Sequence, residues 1–243
     1  MIKVFIAVLT LFVPFTSIAD DHQVADAQAS VGIPKGAVQV MHIAAQDPQA
    51  YTDYLRANPE LFKALGSLAS GVCTTQTGQD YMGQMFVWNF YDSVQGAMEA
   101  ITKYDPYKAP RKLTAMREIK YSGVFKPLKT FDLSPGFERL VRVRVEPQNV
   151  PAFVAAATQF EAETQAAGSN VQVAVFAPIA AGTQEVGLLN VRFIAASATD
   201  LGASVDAFLA APVAPDSGYM KMVQLGEMVT DTIEVCQQVF SAD

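Results

Sequence analysis

Short runs of apolar residues alternate with polar stretches along the first half of the chain and predict its secondary structure. Strand side chains point to opposite faces in turn, whereas helical apolar residues recur three and four positions apart. On these patterns the predicted strands cover residues 38–43, 71–77, 84–91 and 117–125. The predicted helices cover residues 47–66, with a kink at Pro59, and residues 93–104.

The second half repeats the same order of elements. Its predicted strands cover residues 140–145, 171–176, 187–193 and 219–229, and its helices are a segment lined by Phe153, Ala156, Ala157 and Phe160 and residues 200–210. The pair Gly66-Ser67 ends the first helix as Gly168-Ser169 ends its counterpart. We interpret the chain as one unit written twice, at residues 37–128 and 139–243, joined by a linker at residues 129–138.

A β-α-β-β-α-β unit of this length is the ferredoxin-like split βαβ motif, a four-stranded antiparallel sheet with both helices on one face. The first and third strands are apolar on both sides, so the open face of each sheet needs a cover, which a second unit can supply. The expected fold is α+β: two tandem ferredoxin-like units packed sheet to sheet as a pseudo-dimeric α+β barrel. Such a chain can stay a monomer or form a further homo-oligomer.

In the order and length of these elements, residues 37–230 resemble the dimeric α+β barrel superfamily. That group includes antibiotic-biosynthesis-monooxygenase-like proteins, haem-degrading proteins and tandem chlorite dismutase-like proteins. No diagnostic motif accompanies the resemblance, and a shared fold says little about chemistry. The resemblance implies that tandem haem relatives hold iron through a histidine of the second repeat. No histidine follows His42, so no cofactor is expected.

The first residues have the pattern of a secretory signal peptide. Lys3 is the only charge before Asp20, residues 4–14 are apolar, and Ala19 is a small residue suited to cleavage. The apolar run is shorter than the roughly 20 residues that span a bilayer. We expect a signal peptide at residues 1–19, a loose lead at residues 20–36, and a periplasmic or secreted protein without membrane insertion after cleavage. An uncleaved N-terminal anchor is the alternative.

Charge and cysteine content narrow the classes of partner. The chain has 17 Lys and Arg residues and 24 Asp and Glu residues, which gives a net charge of −7. This charge argues against binding of nucleic acid, because phosphates require a basic surface. With two histidines and two cysteines, the chain lacks the ligands of a typical zinc site, so no metal is expected. In an oxidising compartment Cys73 and Cys236 can form a disulfide; two separately buried thiols are the alternative.

Strand alternation gathers polar residues on one predicted sheet face. In the second unit Arg142, Arg144, Asn190 and Arg192 alternate with apolar residues that belong under the helices, so they should point towards the opposite sheet. The matching positions of the first unit are Val40, His42, Val87 and Asn89. This parity turns Trp88 towards the helices unless a bulge reverses it. With the first and third strands taken as parallel neighbours, His42 and Asn89 should lie at the same end.

The inward arginines have two interpretations. They pair with inward carboxylates such as Glu118 or Glu227, or they bind an anionic ligand. The second interpretation predicts a protein that binds a small apolar or anionic molecule between its two sheets. Arg142, Arg144, Asn190 and Arg192 would then orient the head group, while Val40 and Val87 line the rest.

A catalytic alternative uses the same residues. It is a cofactor-independent monooxygenase or isomerase of the α+β barrel type, with His42 as a base of near-neutral pKa and with Asn89 and Arg192 stabilising a developing anion. The polar set holds no complete nucleophile–base pair, which favours the binding protein. A structural or partner-binding periplasmic protein is the third possibility.

Overall fold

Eight strands close into one antiparallel barrel in residues 34–242, the part of the chain that a computed structural model describes. The strands are β1 (Ala37–Ala45), β2 (Ala69–Thr77), β3 (Gln84–Tyr91), β4 (Arg117–Pro127), β5 (Phe137–Val145), β6 (Gln172–Ala180), β7 (Leu188–Ala195) and β8 (Gly226–Ser241). The helices are α1 (Pro48–Arg56), α2 (Glu60–Leu65), α3 (Val94–Lys103), α4 (Arg111–Ala115), α5 (Val150–Ala166), α6 (Ala198–Ala210) and α7 (Gly218–Leu225). The predicted signal peptide and most of the predicted lead lie outside the described residues.

The order of strands around the barrel keeps the two halves of the chain apart. Strands β4, β1, β3 and β2 are consecutive neighbours, and so are β8, β5, β7 and β6. The halves meet where β2 pairs with β8 and where β4 pairs with β6. The predicted α+β barrel is therefore confirmed at the level of fold class.

The first predicted helix is interrupted where its proline lies. Asp47 begins α1, its carboxylate accepting a hydrogen bond of 3.0 Å from the backbone N–H of Ala50. Pro59 cannot continue a helix in its interior, and it immediately precedes α2 instead. Gly66 then ends α2 with a φ of 74°, a left-handed conformation that favours glycine.

The predicted last strand, residues 219–229, is wrong. Its first part is helix α7, and the strand that follows is β8, which continues to Ser241. Ser217 caps α7, accepting a hydrogen bond of 3.3 Å from the backbone N–H of Met220, and Tyr219, Met222 and Val223 have helical spacing. An apolar run of this length fits a strand or a helix, and the serine cap and the packing on α5 select the helix.

Two layers of apolar residues follow from the alternation along the strands. One face of each strand fills the barrel interior, where Val40, Phe86, Trp88 and Phe176 form part of one buried cluster. The other face packs under the helices in two separate clusters. The cluster beside the helices of the first half also includes Val239 and Phe240 of β8. Within residues 34–242, none of the helices combines the length and apolarity needed to cross a membrane.

Candidate functional site

The barrel encloses a small cavity, which contains several of the residues predicted from strand alternation. Val40 and His42 of β1, Arg142 of β5, and Asn190 and Arg192 of β7 all line it. The remaining walls combine aromatic, aliphatic and a few polar residues, from strands and from the connection before β5. They include Phe86, Trp88, Phe125, Phe131 and Phe176.

The predicted inward direction of Val87 and Asn89 is wrong. Val87 packs in the helix-side cluster of the first half, whereas its neighbour Trp88 lines the barrel cavity. The segment 85–91 is apolar on both faces, so its pattern does not distinguish the faces, and a one-residue slip reverses every side chain. Asn89 accepts a hydrogen bond of 2.8 Å from Ser70 Oγ, away from the cavity.

Two further placements differ from expectation. Strands β1 and β3 are antiparallel, with His42 opposite Phe86 and Asn89 opposite Gln39, so His42 and Asn89 do not share an end. Arg144 is exposed near the end of β5 and is not part of the cavity wall. Arg144 lies two residues after Arg142, as the predicted alternation requires, but it does not reach the cavity that Arg142 lines.

Arg192 lies in a cluster of buried charges. Its Nε donates to Glu138 over 2.6 Å and its Nη2 donates to Glu234 over 2.7 Å. Burial alone would lower the pKa of Arg192, but attraction and hydrogen bonds to both carboxylates raise it. Burial also raises the pKa of Glu234, against the opposing effect of Arg192. This guanidinium is already neutralised from within the protein.

Arg142 is paired in the same way. Its guanidinium lies 2.9 Å from the fully buried carboxylate of Glu185 and donates to Tyr121 Oη over 3.0 Å. Tyr121 in turn donates to Glu185 over 2.7 Å. The arginine partners are thus Glu185, Glu138 and Glu234.

The suggested pairing with Glu118 or Glu227 is wrong. Both carboxylates are exposed, and Glu118 instead pairs with Lys120 over 2.9 Å.

His42 does not have the near-neutral pKa expected of a base. Its ring stacks on Tyr121 with centroids 4.1 Å apart. Burial, with the positive charges of Arg142 and Arg192 nearby, lowers its pKa to about 3. The imidazole is therefore neutral at physiological pH and too weakly basic to match the role proposed for it.

The free space in the barrel is small. The cavity measures about 90 Å³, whereas ordinary small-molecule sites measure roughly 300–1,000 Å³. Among the described residues, Asn190 Oδ1 is a buried oxygen without a hydrogen-bond partner, which suits a small hydrogen-bond donor in the cavity.

A larger cleft lies outside the barrel, between the sheet and the helices of the second half. We call it the helix-side cleft. It has two adjoining lobes of about 450 Å³ each, which share Phe160, Thr164, Ser204, Phe208 and Tyr219. The lobe against the sheet is also lined by Val141, Val143, Phe153, Phe193, Leu201, Met222 and Met228.

Four aromatic rings form the centre of the helix-side cleft. Phe160 of α5 lies 5.9 Å from both Phe193 and Phe208, in edge-on contacts. Phe208 of α6 lies 4.7 Å from Tyr219 of α7. Rings from three helices and one strand thus converge on one space, which suits a flat apolar molecule.

Charges lie at the rim of the helix-side cleft. Arg139 at the sheet end is held by Asp231, with its Nε 2.9 Å from Oδ1, and this hydrogen bonding raises the pKa of Arg139. The charged residues lining the outer lobe are Glu163, Asp200 and Asp216. An anionic ligand would meet repulsion at that rim.

Small side chains on α6 leave the cleft open. Ala203, Ser204 and Ala207 line it, and a Cβ added to Gly202 would meet no atom within 4 Å. In the first half, by contrast, Tyr51, Leu55, Phe62 and Leu113 belong to a closed cluster with β1 and β3. The small residues at positions 202–204 and 207 are a sequence signal for this space that alternation along strands does not detect.

Comparisons with known proteins bear on the fold. No family model matches the chain, and no curated protein matches it. An anthrone oxidase-like protein is similar over 86% of this chain and 97% of its own length, with a TM-score of 0.52 and 12% identity. A mutant chlorite dismutase from Candidatus Nitrospira defluvii is similar over 88% and 96%, with a TM-score of 0.53 and 9% identity.

A third solved structure, a heme-binding protein from Thermus thermophilus, is similar over 84% of this chain and 92% of its own, with a TM-score of 0.50 and 10% identity. At such identities the similarity shows the fold alone. The chain shares the α+β barrel fold of these solved structures.

Proposed function

We propose that this protein binds a small, mostly apolar and uncharged molecule in the helix-side cleft. The observation that carries the proposal is the cleft itself, two adjoining lobes of about 450 Å³ around four converging aromatic rings. Its volume lies in the ordinary range of ligand sites, and its walls have the apolar, aromatic character typical of them.

This proposal moves the ligand from the space between the sheets to the space under the helices. The barrel cavity of about 90 Å³ is too small for a ligand of ordinary size. Its guanidinium groups are paired with Glu138, Glu185 and Glu234, so an anionic ligand would have to compete with these carboxylates. The acidic rim of the cleft also favours a ligand without negative charge.

The catalytic alternative receives less support from the geometry. A cofactor-independent monooxygenase with His42 as the base needs a basic imidazole, and the pKa of His42 is about 3. Haem held through histidine does not fit the described residues, because His42 is their one histidine and it lies in the barrel wall. Binding without chemistry is therefore the function that the site supports best.

The test measures binding of an uncharged fluorescent probe, phenylnaphthylamine, to the full chain. We expect binding to the wild-type protein and a loss of at least about tenfold in affinity in Ser204→Phe, whose ring fills the space shared by both lobes. The anionic analogue anilinonaphthalene sulfonate should bind more weakly than phenylnaphthylamine, because of the acidic rim.

A matched control separates the two candidate spaces. Val40→Leu adds one methylene group to the wall of the barrel cavity and leaves the cleft unchanged. Loss of probe binding in Val40→Leu with retention in Ser204→Phe would place the ligand in the barrel and reject the cleft. Native mass spectrometry of protein purified from its own cells then identifies the retained molecule.

We also propose that the chain is exported and begins at Asp20 after cleavage. Cys73 and Cys236 form a disulfide between β2 and β8, and such bridges persist mainly in oxidising compartments, which supports export. N-terminal sequencing of the periplasmic or secreted protein tests this proposal. A retained Met1 in that fraction would contradict cleavage.

A last proposal concerns the origin of the barrel in two ferredoxin-like units, residues 37–128 and 139–243. The consecutive order β4, β1, β3, β2 and the matching order β8, β5, β7, β6 support it. Each strand of the first half should superpose on its counterpart in the second half. Failure of β8 to superpose on β4 would contradict a duplication.

A further inference from the structure

The disulfide of the barrel borders the barrel cavity. Cys73 and Cys236 lie directly opposite each other in the antiparallel pair of β2 and β8. Cys73 is part of the cavity wall, and both cysteines are buried in the same cluster of the barrel interior. A small molecule in the cavity can therefore meet the sulfur of Cys73.

A guanidinium group touches both sulfur atoms. Arg192 Nη2 lies 3.4 Å from Cys236 Sγ and 3.6 Å from Cys73 Sγ. A disulfide carries no charge that needs a cation, whereas a thiolate is stabilised by a neighbouring guanidinium. The same guanidinium is bound to Glu138 and Glu234, so a thiolate formed at either sulfur shares Arg192 with these two carboxylates.

We propose that Cys73 and Cys236 form a thiol–disulfide exchange centre whose reductant is a low-molecular-weight thiol entering the barrel cavity. The thiolate of the reductant attacks Cys73 Sγ, the bond between the two sulfurs breaks, and Cys236 leaves as a thiolate beside Arg192. A second reductant thiolate attacks the reductant's sulfur in the mixed disulfide and releases Cys73.

The exchange balances without another co-reactant. Two small thiols become one small disulfide, and the protein gains two electrons and the two protons that the thiols released. The cavity of about 90 Å³ restricts the reductant to a few heavy atoms. The helix-side cleft shares no lining residue with this cavity. The proposed exchange centre therefore does not depend on whether a ligand binds in the cleft.

The first experiment compares reduction with unfolding in the oxidised full chain. Mercaptoethanol is added under native conditions, free thiols are trapped with iodoacetamide, and mass spectrometry measures the reduced fraction. The fluorescence of Trp88, the one tryptophan of the chain, gives the unfolding rate. We expect reduction to rise in proportion to thiol concentration and to exceed the unfolding rate at least about tenfold.

A reduction rate that levels off at the unfolding rate would overturn the proposal, because exchange would then require the barrel to open. The Cys73–Cys236 bridge would in that case be a structural crosslink alone. The comparison uses the wild-type protein, so its interpretation does not depend on how any variant folds.

The second experiment tests Arg192 through the pH dependence of alkylation in the reduced protein. Arg192→Gln should raise the apparent pKa of the reactive thiol by about one unit, because a stabilising positive charge is lost. Arg142→Gln is the matched control: it removes the other barrel guanidinium, which binds Glu185 and Tyr121, and should leave the profile unchanged. Equal profiles in all three proteins would overturn the role of Arg192. If Arg192→Gln does not fold, Arg192→Gln with Glu234→Gln removes one charge of each sign.

Discussion

At the scale of single residues, Arg192 offers the sharpest test of how the barrel interior is held together. Its guanidinium is bound to Glu138 and Glu234, and both carboxylates are buried. Arg192→Met should therefore lower the free energy of unfolding by about 3–5 kcal/mol, since two carboxylates lose their partner. Urea denaturation followed by circular dichroism measures the change.

Arg144→Met is the matched control for this substitution. Arg144 is exposed near the end of its strand, so its replacement should change stability by no more than about 0.5 kcal/mol. A neutral or stabilising effect of Arg192→Met would favour an unpaired arginine awaiting an anionic ligand.

His42 predicts a pH dependence of stability. Its pKa falls from 6.5 in the unfolded chain to about 3 in the folded protein. Between these values the unfolded chain binds a proton that the folded protein does not. The free energy of unfolding therefore decreases as pH falls through this window, by about 1.4 kcal/mol per pH unit. Above pH 6.5 His42 makes no contribution to the pH dependence of stability.

His42→Phe retains an aromatic ring against Tyr121 and removes the titrating group. Denaturation of both proteins between pH 6.5 and about 5, above the range in which most carboxylates titrate, isolates the contribution of His42. The wild-type curve should be the steeper one. Parallel curves would contradict the lowered pKa.

At the scale of elements, two glycines distinguish loose from tight helix packing. A Cβ at Gly202 of α6 would meet no atom within 4 Å, while a Cβ at Gly218 of α7 would lie 2.3 Å from the backbone N of Phe160. Gly202→Ala should stabilise by about 0.5–1 kcal/mol through helix propensity. Gly218→Ala should destabilise by about 1–3 kcal/mol by forcing α7 away from α5. Equal effects in thermal denaturation would contradict the open packing of α6.

The two contacts between the halves of the barrel should also differ in stability. Strand β4 pairs with β6 only over residues 124–127, with a register shift, and Pro127 and Pro178 cannot donate hydrogen bonds there. Strand β2 pairs with β8 over most of its length and carries the disulfide. Backbone amides between β4 and β6 should exchange hydrogen before those between β2 and β8. The reverse order in hydrogen-exchange mass spectrometry would contradict this asymmetry.

At the scale of the whole molecule, the disulfide restricts the unfolded chain. It joins residues separated by 163 positions, a loop for which entropy models assign about 5 kcal/mol of stabilisation. Cys73→Ala with Cys236→Ala should lose about this amount in urea. The dependence on urea should become steeper, since the open unfolded chain exposes more surface. An unchanged midpoint would show that the bridge does not limit the unfolded state.

Much of the architecture could be predicted from local patterns. The predicted first strand matches β1, and the aspartate-proline start and Gly66 mark the ends of the first helical segment because both signals act within a few residues. The region of α7 and β8 is assigned wrongly because the apolar run at residues 219–229 fits either periodicity. Packing of Gly218 against α5 resolves that ambiguity, and it is a contact between distant parts of the sequence.

The candidate site likewise has features that local patterns predict and features that depend on contacts between distant residues. Strand alternation is enough to predict that Arg142 and Arg192 face the barrel, because polar residues alternate there with a clearly apolar face. The same rule fails for β3, because both of its faces carry apolar residues and the pattern does not show which face is inside. The carboxylates that neutralise the arginines, the small size of the barrel cavity and the position of the helix-side cleft become visible in the folded structure alone. Those properties depend on distances and volumes between elements, which local patterns do not encode.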